Sequence, residues 1–319
     1  MMQALKRLKS RIGNIFRPII RSEVDKAMSE IMTLLPQLID FQNSPPERRQ
    51  SFYERTKDPE NDHTTYSVTL RGHLDQLGVR VEDISIDMSD FRKWMNEYPE
   101  ITYAYRGFSD IPIEKCLEHY LSFTFQGLSS SDTFIDIAAS GSPYADLLRR
   151  RMGLTAYRLD LSYEKGIHGY DIGADAGDTG LPDGFATSLA LHCAYECFMG
   201  DADIRFVHEA SRILKPGGSF IIVPLYLDKT YFISTSPYCN QDTVVIDPNA
   251  LKVWRDDAYR APFSRHYSPQ SFVERIYSHI PVGMEGTVYF LRNLPDIRRS
   301  FEGQRIYCSF FFQCTKSAA

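Results

Sequence analysis

The chain has 319 residues, of which 43% are hydrophobic and 24% charged, a composition that excludes disordered and fibrous classes. No apolar run approaches the ~20 residues that cross a bilayer. A net charge of −5 argues against general nucleic-acid binding, so no nucleic-acid partner is expected.

The first 22 residues hold Lys6, Arg7, Lys9, Arg11, Arg17 and Arg21 and no acid. Leu5, Leu8, Ile12, Ile15, Phe16 and Ile19 recur among them at helical spacing. Three readings stay open: a helix packed on the rest of the protein, a transit segment, or a peripheral contact of residues 1–22 with an anionic membrane surface. Pro18 suits the first turn of a helix running to Leu35, with Pro36 as its stop. Residues 43–62 are polar and proline-containing, the composition of a loop. Asp90 is the expected cap of a helix over 91–98, ahead of Pro99. Residues 1–112 thus read as a helical N-terminal extension or cap, and 113–319 as the main domain.

From residue 112 the pattern alternates. Residues 113–125 are helical, 133–138 a strand, 143–152 a helix, 156–161 and 170–173 strands. A fourth strand covers 186–192, an amphipathic helix 203–214, and the most apolar strand of the chain 219–227. Ser268 caps a last helix with Pro269 at its first position, and two strands follow at 286–291 and 305–314. Alternating strands and helices predict an α/β fold with a doubly wound, mainly parallel sheet. Its ligand is expected at the carboxyl ends of the strands, where the strand order reverses.

Three segments carry a family pattern. Asp136-Ile-Ala-Ala-Ser-Gly-Ser142 stands at a strand end, Asp160 ends the next strand, and the stretch from Gly173 through Asp175 and Ala176 to Phe185 follows. Glu209 to Gly218 then closes a helix with Lys-Pro-Gly-Gly, where Gly217 supplies the positive φ of a tight turn. In this order the segments resemble class I S-adenosylmethionine-dependent methyltransferases, a methyltransferase type 11-like domain. Further phrases at 166–169, 201–206, 223–227 and 265–269 resemble bacterial methyltransferases of glycan-assembly clusters. The resemblance covers 113–314 and implies a seven-stranded Rossmann-like sheet. It departs from the family where Ala138, Ser140 and Ser142 replace the motif glycines, leaving Gly141.

The resemblance implies S-adenosyl-L-methionine as cofactor, with Asp136, Ala138, Ser140, Gly141, Asp160, Leu161, Asp175, Ala176 and His192 around it. Asp160 would accept from the ribose hydroxyls and Asp175 from the adenine amino group. The implied reaction is O-methylation of a sugar, a glycan precursor or a small metabolite. His192 and Glu196, at the end of the fourth strand, are the candidate catalytic residues. His168 and His266 stand in loops that reach the same mouth, and Tyr144, Tyr195, Tyr226 and Tyr267 are candidate walls. Loss of the glycines leaves a second reading open, a non-catalytic binding or scaffold protein of the same fold. A nicotinamide dehydrogenase is a third, disfavoured by the absence of G-x-G-x-x-G. The cysteines Cys116, Cys193, Cys197, Cys239, Cys308 and Cys314 form no C-x-x-C pair. No metal is therefore expected, and reduced thiols in the cytoplasm are.

Overall fold

The computed structural model describes residues 2–50, 66–107, 110–255 and 261–318, with the backbone alone at 2–22, 47 and 50. Much of the 43–62 stretch therefore lies outside the described residues.

Helix α1 is Met2–Asn43, a single rod that passes through Pro18 and Pro36. The expected stop at Pro36 is overridden by anchoring beyond it. Gln37 Nε2 donates to the carbonyls of Pro237 and Cys239, and Trp254 Nε1 donates to Asp40 Oδ2. Strand β1 (Arg49–Gln50) follows, then α2 (Val68–Gln76) and β2 (Val81–Ile84). Helix α3 is Met88–Glu97, capped by Asp87 and not by Asp90: the Asp87 carboxylate accepts from the backbone N–H groups of Ser89 and Asp90. Pro99 opens the next helix, α4 (Pro99–Tyr105), because its fixed φ suits a first turn.

Helix α5 (Pro112–Gln126) leads to strand β3 (Thr133–Ile137), helix α6 (Tyr144–Met152), β4 (Thr155–His168) and β5 (Asp171–Gly173). Strand β4 outruns its expected end at 161 and folds back along β5 through residues 165–168. Then come β6 (Ala186–His192), α7 (Ala202–Ile213) and β7 (Leu214–Val223), with Gly217 at φ +79° as the Lys-Pro-Gly-Gly turn requires. After an inserted segment come α8 (Pro269–Arg275), a later strand at Met284–Leu291, α9 (Leu294–Ser300) and a last strand at Phe310–Lys316. Ser268 and Ser271 form a reciprocal capping box at the start of α8.

The insert holds strands β8 (Phe232–Thr235), β9 (Leu251–Arg255) and β10 (Ser264–His266), so the two late strands are β11 and β12. With β1, the insert makes a separate four-stranded sheet, β1-β9-β8-β10. The main sheet runs β2-β11-β12-β7-β6-β3-β4-β5. The seven expected strands are there, doubly wound, with β12 antiparallel to both of its neighbours. An eighth, β2, adds in parallel to β11. The order reverses at β3, which pairs in parallel with β4 on one side and β6 on the other.

Two apolar layers cover the sheet. One joins α2, α7 and α8 to it through Leu74, Phe206, Ile213 and Phe272. The other joins α3, α4, α5 and α6 through Phe91, Trp94, Ile101, Leu117, Tyr144 and Leu148. Helix α5 is buried over ten consecutive residues, Ile113 to Ser122. Its apolar side is covered by α3 and α4, so its polar side (Glu114, Lys115, Glu118, His119) turns inward. Among the described residues no helix is long and apolar enough to cross a membrane.

Candidate functional site

A cavity of about 820 Å3 opens at the carboxyl ends of β3 and β6, the position this topology favours for ligands and a volume that suits a small molecule. One wall is the turn from Ile137 to Ser142, and a second is the loop after β6, with His192, Cys193 and Glu196. Lys115 of α5 and Tyr307 close the inner side. The insert supplies Arg255, Phe263 and His266 as a lid-like outer wall.

Among the described residues, two non-glycine positions have positive φ: Ala138 and Cys193, both at +53°. Each directly follows a central strand and each lines the cavity. A side chain in this region carries about 1–2 kcal/mol of strain, and such strain concentrates where backbone must be aimed at a ligand. Gly141, at φ +79°, has open space where a Cβ would stand.

Asp136 is buried at the centre. Its Oδ1 lies 3.1 Å from His192 Nδ1, and its Oδ2 accepts from Ser142 Oγ at 2.6 Å. His119 packs edge-on against His192 and stacks on Tyr144. Burial drives the His119 pKa far below its usual value, so that ring is neutral.

Glu196 Oε1 lies 3.3 Å from Cys193 Sγ, while Oε2 is buried with no hydrogen-bond partner. Burial pushes the Glu196 carboxyl up to about 7, against the opposing pull of its own backbone, Cys193 and Lys115. Burial likewise pushes the Cys193 thiol up to about 12, so it is protonated at neutral pH. Lys115 Nζ donates to both oxygens of Glu118 at 2.9 Å. Burial opposes its charge, yet the paired Glu118 carboxylate holds its pKa well above the usual value, so the ammonium stays charged.

The sequence-predicted residues divide into two sets. Asp136, Ala138, Ser140, Gly141, His192 and Glu196 come together on the cavity wall. Asp160, Leu161, Asp175 and Ala176 do not line it. Asp160 Oδ2 accepts from the Ser140 N–H, and its Oδ1 accepts from the N–H and hydroxyl of Ser162. Leu161 is exposed. Asp175 Oδ2 takes both terminal nitrogens of Arg205 at 3.0 Å, its Oδ1 accepts from the Gly177 N–H, and Ala176 is buried in the core. Of the three carboxylates, Asp136 lines this cavity, and Asp160 and Asp175 are engaged by neighbouring chain.

Of the candidate histidines, His266 lines the cavity, stacked on Phe232, whereas His168 is exposed and bonds the Lys165 carbonyl. Of the candidate walls, Tyr226 is one. Tyr144 is packed behind His119, and Tyr195 and Tyr267 are buried around Asp203. Among the described residues no group of His, Cys, Asp and Glu is arranged to hold a metal ion. All six cysteines are free.

Sequence reading missed Lys115, Glu118, Arg255 and Tyr307. A signal existed for the first two. Glu114, Lys115, Glu118 and His119 share one face of α5, but polar residues on one face ordinarily mark the solvent side.

The insert is fixed to the site by a buried ion network. Arg265 of β10 donates to the Phe198 and Gly200 carbonyls, and pairs with Asp203 at 2.8 Å and Asp247 at 3.0 Å. Arg275 also pairs with Asp203, and Tyr267 donates its hydroxyl to it. The loop carrying Glu196 is thereby held between the sheet and the insert.

No protein-family model and no curated protein matches this chain. Solved structures similar in fold include a Haloferax volcanii protein in complex with a methyltransferase activator, at 14% identity and TM-score 0.42, covering 71% of this chain and 98% of that one. A Burkholderia thailandensis 1,6-didemethyltoxoflavin N1-methyltransferase has 8% identity and TM-score 0.41, covering 75% and 94%. A SAM-dependent methyltransferase of Methanosarcina mazei has 13% identity and TM-score 0.38, covering 62% and 98%.

Proposed function

We propose that this chain is an S-adenosylmethionine-dependent methyltransferase whose acceptor is a hydroxyl of a sugar, a glycan precursor or a small metabolite. The observation that carries this reading is the cavity at the strand-order reversal, walled by the 137–142 turn and by Glu196.

The wall suits the cofactor's amino-acid end. Gly141 leaves its backbone open, and His192 Nε2 and Glu196 Oε2 are buried atoms without partners. An ammonium and a sulfonium would be welcome beside Asp136 and Glu196. Ala138, Ser140 and Gly141 would hold that end through their backbone, with Asp136 and His192 behind them. Asp160, Leu161, Asp175 and Ala176 would complete the adenosine side after releasing their present contacts. When bound, the cofactor supplies a methyl group already joined to its leaving group. Glu196, with a pKa near neutrality, is suited to take the acceptor's proton. The insert excludes water from the mouth.

A non-catalytic protein of this fold is the second reading, favoured by the engagement of Asp160 with Ser162 and of Asp175 with Arg205. We read the chain as cytoplasmic from its scattered cysteines, and the basic segment 1–22 suits either a helix packed on the rest of the protein or a peripheral contact with an anionic membrane. Isothermal titration with S-adenosylmethionine tests the proposal. Binding in the micromolar range, followed by label transfer from the methyl group to sugar nucleotides, is expected. No heat at high micromolar ligand, with an unshifted melting temperature, would leave the second reading standing.

A further inference from the structure

The inner wall of the cavity holds two unfinished hydrogen-bonding groups of opposite kind. Lys115 is an ammonium with three N–H donors, and its hydrogen bonds both go to Glu118. The side chain is buried at the cavity wall, so a spare donor is directed to what the cavity holds. Glu196 Oε2 is a buried acceptor with no partner. Both groups line the one cavity, and Cys193 lines it with them, its Sγ 3.3 Å from Glu196 Oε1.

We propose that Lys115 and Glu196 form a hydroxyl-binding pair, in which Lys115 Nζ donates to a ligand alcohol oxygen and Glu196 Oε2 accepts that alcohol's proton. This deepens the acceptor half of the preceding proposal and adds Lys115 as a residue that touches the acceptor. The chemistry selects the ligand. With Glu196 ionised, as a base must be, a carboxylate or a fully ionised phosphate can only accept and leaves Glu196 unpaired, and an ammonium can only donate and leaves Lys115 unpaired. One alcohol O–H satisfies both, and unmade buried bonds of this kind are costly. Lys115 also stabilises negative charge developing on the same oxygen, which favours passage of its proton to Glu196. Tyr226, Tyr307 and His266 add aromatic side chains to the neighbouring walls.

Two measurements test this. In a carboxylate 13C NMR titration, the titration point of Glu196 moves upward in Lys115→Met and returns in Lys115→Arg. The groups facing Glu196 that bear on this titration are Lys115 and Glu118 of α5, Asp136 of β3, and His192 and Cys193 after β6. Cys197, Tyr226, Arg255, His266 and Tyr307 line the same cavity, as do Tyr105, Asp110 and Arg305. A Lys115 that only supports the fold would leave the titration point unmoved.

In saturation-transfer NMR, methyl β-D-glucopyranoside binds the wild-type protein. Its fully O-methylated derivative, which cannot donate, binds about tenfold more weakly or worse. Lys115→Met lowers glucoside binding by a similar factor. Because that variant strands Glu118, the double variant Lys115→Met/Glu118→Gln removes the buried pair together and is expected to fold and to lose binding alike. No glucoside binding to the wild type, or equal binding by the double variant, overturns the pair. Glucoside binding that depends on Lys115 without any S-adenosylmethionine binding would keep the pair and remove the methyltransferase reading. The reverse result would do the opposite.

Discussion

Asp136 and His192, on adjacent parallel strands, meet at 3.1 Å between Oδ1 and Nδ1 beneath the cavity floor. A carboxylate against one ring nitrogen fixes the ring's orientation and leaves Nε2 as its other functional atom. Asp136 spends its second oxygen on Ser142, which joins the turn after β3 to the end of β6. Asp136→Ala therefore strands the buried His192 ring nitrogen and releases the half-buried Ser142 hydroxyl. It should cost about 2–4 kcal/mol in chemical denaturation and weaken ligand binding. Wild-type stability in that variant would mean that the contact does not organise the site.

The Glu196 carboxyl, pushed up to about 7 by burial, sets a pH dependence. If Glu196 is the base of the proposed methyl transfer it must be ionised, so the rate should fall as pH drops through about 7, and Glu196→Gln should remove both the limb and most of the rate. Stability runs the other way. A carboxyl whose folded pKa lies above its unfolded value of about 4.5 favours the folded state while protonated. That contribution is lost as pH rises from about 4.5 to about 7. Glu196→Gln should thus flatten the stability profile over this window. An unchanged acid limb in the rate profile would remove Glu196 from the role of base.

Arg265 is fully buried and ties β10 to two carbonyls and two carboxylates. Arg265→Ala leaves Asp203 and Asp247 short of a cation and should destabilise the protein by about 3–5 kcal/mol. Lysine cannot reproduce the planar fork that serves Phe198 and Gly200 together, so Arg265→Lys should recover only part of the loss. Amide hydrogen exchange should rise in the 228–268 insert in both variants. Exchange confined to other regions would show that the insert is held by something else.

Ala138 stands at φ +53° where glycine is at ease. Ala138→Gly should relieve about 1 kcal/mol of strain, offset in part by the greater freedom of the unfolded chain, and should not weaken S-adenosylmethionine binding. Gly173 is the opposite case, since a Cβ there would lie 2.0 Å from the Glu164 carbonyl oxygen. Gly173→Ala should displace the returning part of β4 and lower the melting temperature. A stable Gly173→Ala protein with β4 in place would contradict that packing.

The central strands were legible because each is a short apolar run between helical segments and recognisable turns, and their arrangement came with the family resemblance. The cavity wall was legible at Asp136 to Gly141 and at His192 and Glu196 for the same reason: strand ends are predictable. Three things were not. Residues 81–84 are half polar and too short for a period-two pattern to declare itself. The strands of the insert span three to five residues each and alternate poorly, so the outer wall went unread. On α5, charge normally marks the wet side, and nothing local reveals that α3 and α4 would cover the apolar side instead. The engagements of Asp160 and Asp175 depend on Ser162 and Arg205, and spacing alone does not announce such partners.

Strand β2 has a practical consequence for anyone trimming this chain. It hydrogen-bonds in parallel along β11 at Val288 to Leu291, and the helices after it shield α5. A fragment beginning at residue 113 would bare the flank of β11 and a greasy helix together. Such a fragment is expected to clump in solution, since an open ladder of backbone donors and acceptors recruits other chains. A start ahead of Tyr66 keeps both surfaces clothed.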